Sequence, residues 1–283
     1  MKANPKFLSK PKSFWAAIRT VGQKCGYTQR GTGQIKIPTI FDLEKAYSSL
    51  SLDSTKLRNA GGAVSTYAQE ILEYCEHRAE VLNSFVEPRL MNAEQARVIY
   101  QQLKRAHKPK SPIPLNKQGG NKKVPNYFTG IVNILIESSI ARHGCDYNPR
   151  ELTTVTRDGL PVRTLARRID GAFPSCVNPI AVWEIKEYYY TTTFGSRVAD
   201  GVYETLLDGM ELEELSQIEN HHILHYLMID AHYTWWCLGR SYLCRIIDML
   251  HMGYVDEVFF GREVVDALPS VAKSWLKIPP IEG

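Results

Sequence analysis

The chain has 283 residues, 44% of them hydrophobic, which is enough for one large domain or two smaller ones with a buried core. No run approaches the roughly 18 uninterrupted apolar residues that a membrane helix requires, and no apolar segment follows the charged N-terminus. We therefore expect a soluble, cytoplasmic protein. The six cysteines show no CxxC spacing, which disfavours a zinc site or a disulfide framework and favours free thiols.

Charge is unevenly distributed along the chain. Residues 1–126 contain 21 Lys and Arg against 9 Asp and Glu, whereas residues 127–283 contain 13 against 21. A basic half of this size favours a polyanionic partner, and nucleic acid ahead of a membrane because no amphipathic basic helix stands out. A solvated basic face is the alternative that charge alone leaves open.

The N-terminal region, residues 1–123, is predicted to be mainly α-helical. Ser13 and Thr39 are candidate N-caps of two short helices, and a glycine-rich turn separates them. The spacing of the apolar residues predicts two longer helices after them. The second of these is capped by Asn92, with Gln95 in the capping-box position.

A proline-rich basic loop, Lys104 to Pro125, follows these helices. It contains seven Lys and Arg, four Pro and no acidic residue. A basic loop of this kind can follow a phosphate backbone. We expect its cations, together with the first residues of a later helix that starts at Thr193 or Ser196, to contact DNA. The candidate DNA-binding residues are Lys104, Arg105, Lys108, Lys110, Lys122, Lys123, Ser196 and Arg197.

The pattern changes in residues 124–283. A mostly apolar helix from Tyr127 is followed by three predicted strands, at 151–156, 161–173 and 179–190, and an Asp-Gly turn joins the first two. Helix, strand, helix and strand then alternate. This order predicts an α/β fold with a mixed β-sheet flanked by helices.

The third predicted strand contains Glu184-Ile185-Lys186. Because side chains alternate along a strand, Glu184 and Lys186 should face one side of the sheet. Asp170, in the preceding strand, converges with Glu184 if the two strands are neighbours. Two converging carboxylates suit Mg²⁺, which polarises a phosphate and lowers the pKa of a bound water, and Lys186 is placed to position or help deprotonate that water. A structural ion pair at a strand end is the alternative.

Asp170, a gap of 13 residues and Glu184-x-Lys186 together resemble the PD-(D/E)xK nuclease superfamily, and among its members the type II restriction endonucleases. Ile169 stands where the family motif has a proline. The resemblance covers about Tyr127 to Phe260 and implies a restriction-endonuclease-like core that hydrolyses phosphodiester bonds.

The resemblance also implies the residues of the site. In this family a helix before the first strand often adds a glutamate to the metal site, and Glu137 matches that role by position. The implied catalytic residues are Asp170, Glu184, Lys186 and Glu137. The implied metal ligands are Asp170, Glu184 and Ile185.

The sequence therefore predicts a Mg²⁺-dependent endonuclease for double-stranded DNA, of the type II restriction class. Residues 1–123 are expected to be the basic recognition region and residues 124–283 the catalytic domain. The resemblance and the two-fold symmetry of such DNA sites imply a homodimer. Two alternatives stay open: a non-catalytic DNA-binding or regulatory protein that uses the basic half, and a repair nuclease or junction resolvase of the same fold.

Overall fold

A computed structural model describes residues 1–29, 31–112, 114–115, 125–140, 143–190, 195–219 and 221–280. The chain divides into two compact units. The smaller contains residues 3–88 and 235–253, and the larger contains residues 1–2, 89–234 and 254–283.

The secondary structure elements are numbered in chain order. The described helices are α1 (Pro5–Leu8), α2 (Lys12–Cys25), α3 (Ile40–Ser48), α4 (Thr66–Glu80), α5 (Ala93–His107), α6 (Tyr127–Ile140), α7 (Ser196–Glu219), α8 (Arg240–His251) and α9 (Glu263–Trp275). The described strands are β1 (Asp146–Tyr147), β2 (Thr154–Arg157), β3 (Leu160–Thr164), β4 (Gly171–Phe173), β5 (Ala181–Glu187), β6 (Leu224–Asp230) and β7 (Glu257–Phe260). Within the described ranges, no helix is both long and apolar enough to cross a bilayer.

The smaller unit is helical, with α1 to α4 and α8 around an aromatic core. Thr39 is the N-cap of α3, as the sequence predicts, and Asp42 forms a capping box with it. Helix α2 begins at Lys12, with Pro11 as its N-cap and no side-chain cap hydrogen bond, so Ser13 lies within the first turn and is not the cap that the sequence predicts.

A five-stranded mixed sheet, in the order β1-β4-β5-β6-β7, forms the centre of the larger unit. Strand β4 is antiparallel to β1 and β5, whereas β5, β6 and β7 run parallel. Strands β2 and β3 form a separate hairpin, which Asp158 and Gly159 close with positive φ, as the predicted Asp-Gly turn requires. The mixed sheet flanked by helices confirms the predicted α/β class.

Both faces of this sheet are covered. On one face Trp183 stacks on Trp275 of α9, with the ring centroids 5.6 Å apart. On the other face Val182 packs with Leu212 of α7. Because side chains alternate along β5, Glu184 lies on the α7 face of the sheet, two residues beyond Val182.

The predicted strand at 161–173 is two strands in different sheets. Strand β3 stays in the hairpin, and β4 joins the main sheet. The segment between them inserts Leu165 and Ile169 into the apolar core on the α7 face. Asp170 therefore directly precedes β4 in the main sheet.

Helix α5 and the start of the basic loop belong to the larger unit, whereas the expected boundary falls after residue 123. Helix α5 starts at the predicted capping box of Asn92 and Gln95, and it packs against α6. Packing between these two helices joins the described start of the basic loop to the larger unit, which contains the main sheet.

Gly171 opens β4 directly opposite Trp183. A Cβ at this position would overlap the indole of Trp183. We expect Gly171→Ala to lower the free energy of unfolding by about 1–3 kcal/mol, as overpacking of a core does, measured by urea denaturation. Gly144→Ala is the control because the nearest atom to its added Cβ, the carbonyl oxygen of Pro174, is 3.4 Å away. Equal losses in both variants would contradict this account.

Candidate active site

Asp170 and the Glu184-Ile185-Lys186 segment meet where β4 and β5 pair. The N–H of Asp170 donates to the carbonyl oxygen of Trp183 at 3.1 Å. The N–H of Ile185 donates to Oδ2 of Asp170 at 2.7 Å. The antiparallel pairing thus places the Asp170 carboxylate beside the residue between Glu184 and Lys186.

Glu184 is completely buried and has a cation at each carboxylate oxygen. Nζ of Lys186 lies 2.7 Å from Oε2, and Nη1 of Arg167 lies 2.9 Å from Oε1. A buried carboxylate without a partner costs several kcal/mol. The two cations are therefore what allows Glu184 to stay ionised.

Helix α7 contributes two more carboxylates, Glu204 and Asp208, which lie one turn apart on the same helix face. Oε2 of Glu204 lies 2.9 Å from Nζ of Lys186, and Oδ2 of Asp208 lies 2.6 Å from Nη1 of Arg167. We call the resulting group the site cluster. It consists of Arg167, Asp170, Glu184, Lys186, Glu204 and Asp208.

The pKa values reflect an excess of negative charge in the site cluster. Burial raises the pKa of Asp170 to about 7, and repulsion from Glu184 adds to the effect. The same two causes, in the same order, raise the pKa of Asp208 to about 7. Burial opposes the charge of Glu184, but the attraction of Lys186 and Arg167 outweighs it and lowers the pKa of Glu184.

Lys186 is an ammonium in this environment. Burial disfavours its charge, but the nearby carboxylates of Glu184 and Asp170 outweigh burial and raise the pKa of Lys186 above its usual value. Lys186 therefore carries its proton at neutral pH. It is suited to donating hydrogen bonds, and the expectation that it helps to deprotonate a water gains no support.

Two buried oxygens of the site cluster accept no hydrogen bond: Oδ1 of Asp208 and Oε1 of Glu184, although Oε1 forms an ion pair with Nη1 of Arg167 at 2.9 Å. Within the described ranges, no three His, Cys, Asp or Glu side chains stand in an arrangement that could hold a metal ion. The donor type nevertheless fits Mg²⁺, which prefers carboxylate oxygens. The charge fits as well, because four carboxylates against two cations leave an excess of two negative charges when all are ionised.

Residues 91–275 match the family model of a domain of unknown function, DUF7687. The chain belongs to the DUF7687 family. Residues 1–85 match the model of a second domain of unknown function, DUF7690. No curated protein and no solved structure matches the chain significantly. The whole site cluster lies within the DUF7687 region.

Glu137, the glutamate expected at the metal site, is held elsewhere in the DUF7687 region. Its Oε1 accepts the backbone N–H of Lys110 at 2.8 Å, and its Oε2 accepts that of Ser111 at 3.0 Å. Glu137 therefore fastens the start of the basic loop to α6. The additional carboxylates of the site cluster come from α7, as Glu204 and Asp208.

Six of the eight candidate DNA-binding residues are described, and all six are exposed on the larger unit: Lys104, Arg105, Lys108, Lys110, Ser196 and Arg197. The first four lie in the last turn of α5 and the loop after it, and the last two lie in the first turn of α7. The other two, Lys122 and Lys123, lie outside the described residues.

Sequence reasoning missed Glu204 and Asp208 and assigned no specific role to Arg167. The available signal was the spacing of four residues between Glu204 and Asp208, on a helix that follows the Lys186 strand. That signal is weak because α7 contains seven acidic residues. Only the packing of α7 on the sheet decides which of them face β5.

The raised pKa of Asp208 should make stability depend on pH in a chelating buffer. Folded Asp208 keeps its proton up to about pH 7, whereas an Asp in an unfolded chain loses its proton near pH 4. Between these values the unfolded state binds fewer protons, so the free energy of unfolding falls as pH rises, by up to about 1.4 kcal/mol per pH unit for one such group. We expect Asp208→Asn to flatten this fall, measured by urea denaturation across this range.

Asp200→Asn is the matched control, because Asp200 is an exposed acid on the same helix. It should leave the pH profile of the parent unchanged. If both variants flatten the profile equally, or neither does, the pH dependence does not come from Asp208.

Proposed function

We propose that this protein is a Mg²⁺-dependent endonuclease that hydrolyses phosphodiester bonds of double-stranded DNA, of the type II restriction class. The observation that carries the proposal is the β4–β5 pairing, which sets the Asp170 carboxylate beside Glu184-Ile185-Lys186. An Asp followed by Glu-x-Lys is the pattern by which the sequence resembles the PD-(D/E)xK nucleases. A restriction-endonuclease-like core is part of the proposal, and the mixed sheet is compatible with it.

In this proposal Asp170, Glu184 and the backbone of Ile185 would hold the metal ion. When bound, Mg²⁺ supplies a Lewis acid that polarises a phosphate oxygen and lowers the pKa of a water. Glu184 suits this task because it stays ionised while buried. Asp170 suits it because a nearby divalent charge favours the ionised form of a carboxyl whose pKa is otherwise about 7.

Lys186 has a separate task, which is to stabilise the negative charge that develops on the phosphate in the transition state. Its ammonium is held in place by Glu184 at 2.7 Å and Glu204 at 2.9 Å. A donor fixed in this way before the reaction needs little reorganisation when charge develops. Its raised pKa keeps the required proton on Nζ.

DNA is the proposed substrate because basic residues concentrate in the first half of the chain and remain exposed at the end of α5. Exposed Lys and Arg bind phosphates without reading sequence. We include a cytoplasmic homodimer in the proposal, because two symmetry-related sites suit the two antiparallel strands of a DNA duplex.

The test incubates plasmid and linear DNA with the whole 283-residue chain in Mg²⁺ or in chelator. We expect discrete fragments in Mg²⁺ only. Asp170→Asn and Glu184→Gln should each lower cleavage by at least about 100-fold, more than the loss of an outer-shell partner costs. DNA binding, measured by fluorescence anisotropy in chelator, should stay within a few-fold of the parent because in this proposal the two carboxylates bind the metal ion and not the duplex.

Asp200→Asn serves as the control and should cut like the parent. Intact but shifted DNA in every condition would overturn the enzyme and favour the non-catalytic DNA-binding alternative. Cleavage confined to ends or branched DNA would favour a repair nuclease or a junction resolvase. Normal cutting by Asp170→Asn would overturn the assigned site.

Lys186→Arg distinguishes a catalytic lysine from a structural ion pair. Arginine keeps the charge, but its planar guanidinium is larger than an ammonium, and Gly201 of α7 leaves little room, since an added Cβ there would lie 3.3 Å from Cδ of Lys186. We expect the variant to bind DNA and to lose most of its cleavage rate at saturating Mg²⁺, measured under single-turnover conditions. A rate within a few-fold of the parent would assign Lys186 to a structural ion pair.

A further inference from the structure

The guanidinium of Arg167 occupies a bridging position in the site cluster. Its Nη1 lies 2.9 Å from Oε1 of Glu184 and 2.6 Å from Oδ2 of Asp208. Its Nη2 lies 3.3 Å from Oε2 of Glu204. One cation therefore joins carboxylates from β5 and from α7, which is the arrangement that a bridging metal ion also produces.

The surrounding chain holds Arg167 in this position before any ligand binds. The N–H of Ala166 donates to Oε2 of Glu211 on α7 at 3.0 Å. Leu165 and Ile169, on either side, are buried in the core under α7. The Arg167 side chain is 23% exposed, so its charge is partly shielded from water. The position of the guanidinium is therefore a feature of the fold.

Charge balance limits how many further cations the site cluster can take. Four carboxylates with Arg167 and Lys186 leave a formal excess of two negative charges. One divalent ion cancels this excess. A second would leave two uncompensated positive charges in a largely buried site, which desolvation and mutual repulsion disfavour.

We propose that Arg167 takes the place of a second metal ion, so that the site binds a single divalent cation, held by Asp170 and Glu184. This rests on the metal site of the proposed function. Arg167 is a positioning residue in this arrangement. It keeps the carboxylates of Glu184 and Asp208 together without a metal between them.

The test counts Mn²⁺ ions bound to the whole 283-residue chain without DNA, by isothermal titration calorimetry. Mn²⁺ is a suitable probe because it binds the same carboxylate oxygens as Mg²⁺. We expect one ion per wild-type chain. Arg167→Met should bind a second ion, because Glu184 and Asp208 then lack their bridging cation. Arg168→Met should stay at one ion, since Arg168 is exposed and its loss removes the same charge from the neighbouring position.

A charge-balanced variant covers the case in which Arg167→Met does not fold. Arg167→Met/Asp208→Asn removes both members of the ion pair and leaves three carboxylates with one cation, the same excess of two negative charges as in the parent. We expect it to bind one ion with an affinity within a few-fold of the parent. Circular dichroism checks that each variant is folded.

The outcomes separate this proposal from the proposed function. Two ions on the wild-type chain would overturn the role of Arg167 and leave a metal-dependent enzyme standing. A folded Arg167→Met that binds a single ion, or a double variant that binds two or none, would also overturn the role of Arg167 alone. No ion on the wild-type chain would overturn the metal site and this proposal together.

Discussion

The ion pairs of Glu184 with Lys186 and Arg167 are the interactions on which the larger unit depends. Glu184 is fully buried in the sheet, and the two cations at hydrogen-bonding distance offset the desolvation cost of its charge. Lys186 comes from the same strand, but Arg167 has to be brought from the segment between β3 and β4. The segment between β3 and β4 must therefore follow a path that brings Arg167 to the buried carboxylate of Glu184. Asp170 and Asp208 add further negative charge. The site cluster as a whole therefore favours the binding of protons or of a cation, as functional sites with raised carboxyl pKa values often do.

The two faces of the main sheet differ, because one carries apolar packing and the other carries apolar packing together with the site cluster. Trp183 and its stacked partner on α9 fill one face with apolar contacts. The α7 face changes along β5, from Val182 in the apolar core to Glu184 in the site cluster. Helix α7 also changes from polar to apolar along its length. Its earlier turns direct Glu204 to Lys186, and its later turns pack Leu212 on the sheet. One helix therefore completes both the core and the candidate active site, and the rigid sheet holds the charged side chains in place.

Much of the local structure was determined by the sequence alone. The capping boxes at Thr39 and Asn92 and the turn at Asp158-Gly159 follow from short-range hydrogen bonding and backbone preferences. The alternation of β5 placed Glu184 and Lys186 on one face, because the side-chain period of a strand is two. The order of helices and strands was sufficient for the α/β class. Each of these features depends on residues that lie close together in the chain.

The tertiary structure alone decided which distant residues meet. It split the predicted strand at 161–173 between two sheets, and it paired β4 with β5 so that Asp170 reached the Glu-x-Lys segment. It also selected Glu204 and Asp208 from the seven acids of α7 and bound Glu137 to the backbone of the basic loop instead. No local pattern specifies these choices, because the direction of each charged side chain depends on how helices pack on the sheet and on which cations are close enough to compensate a buried carboxylate.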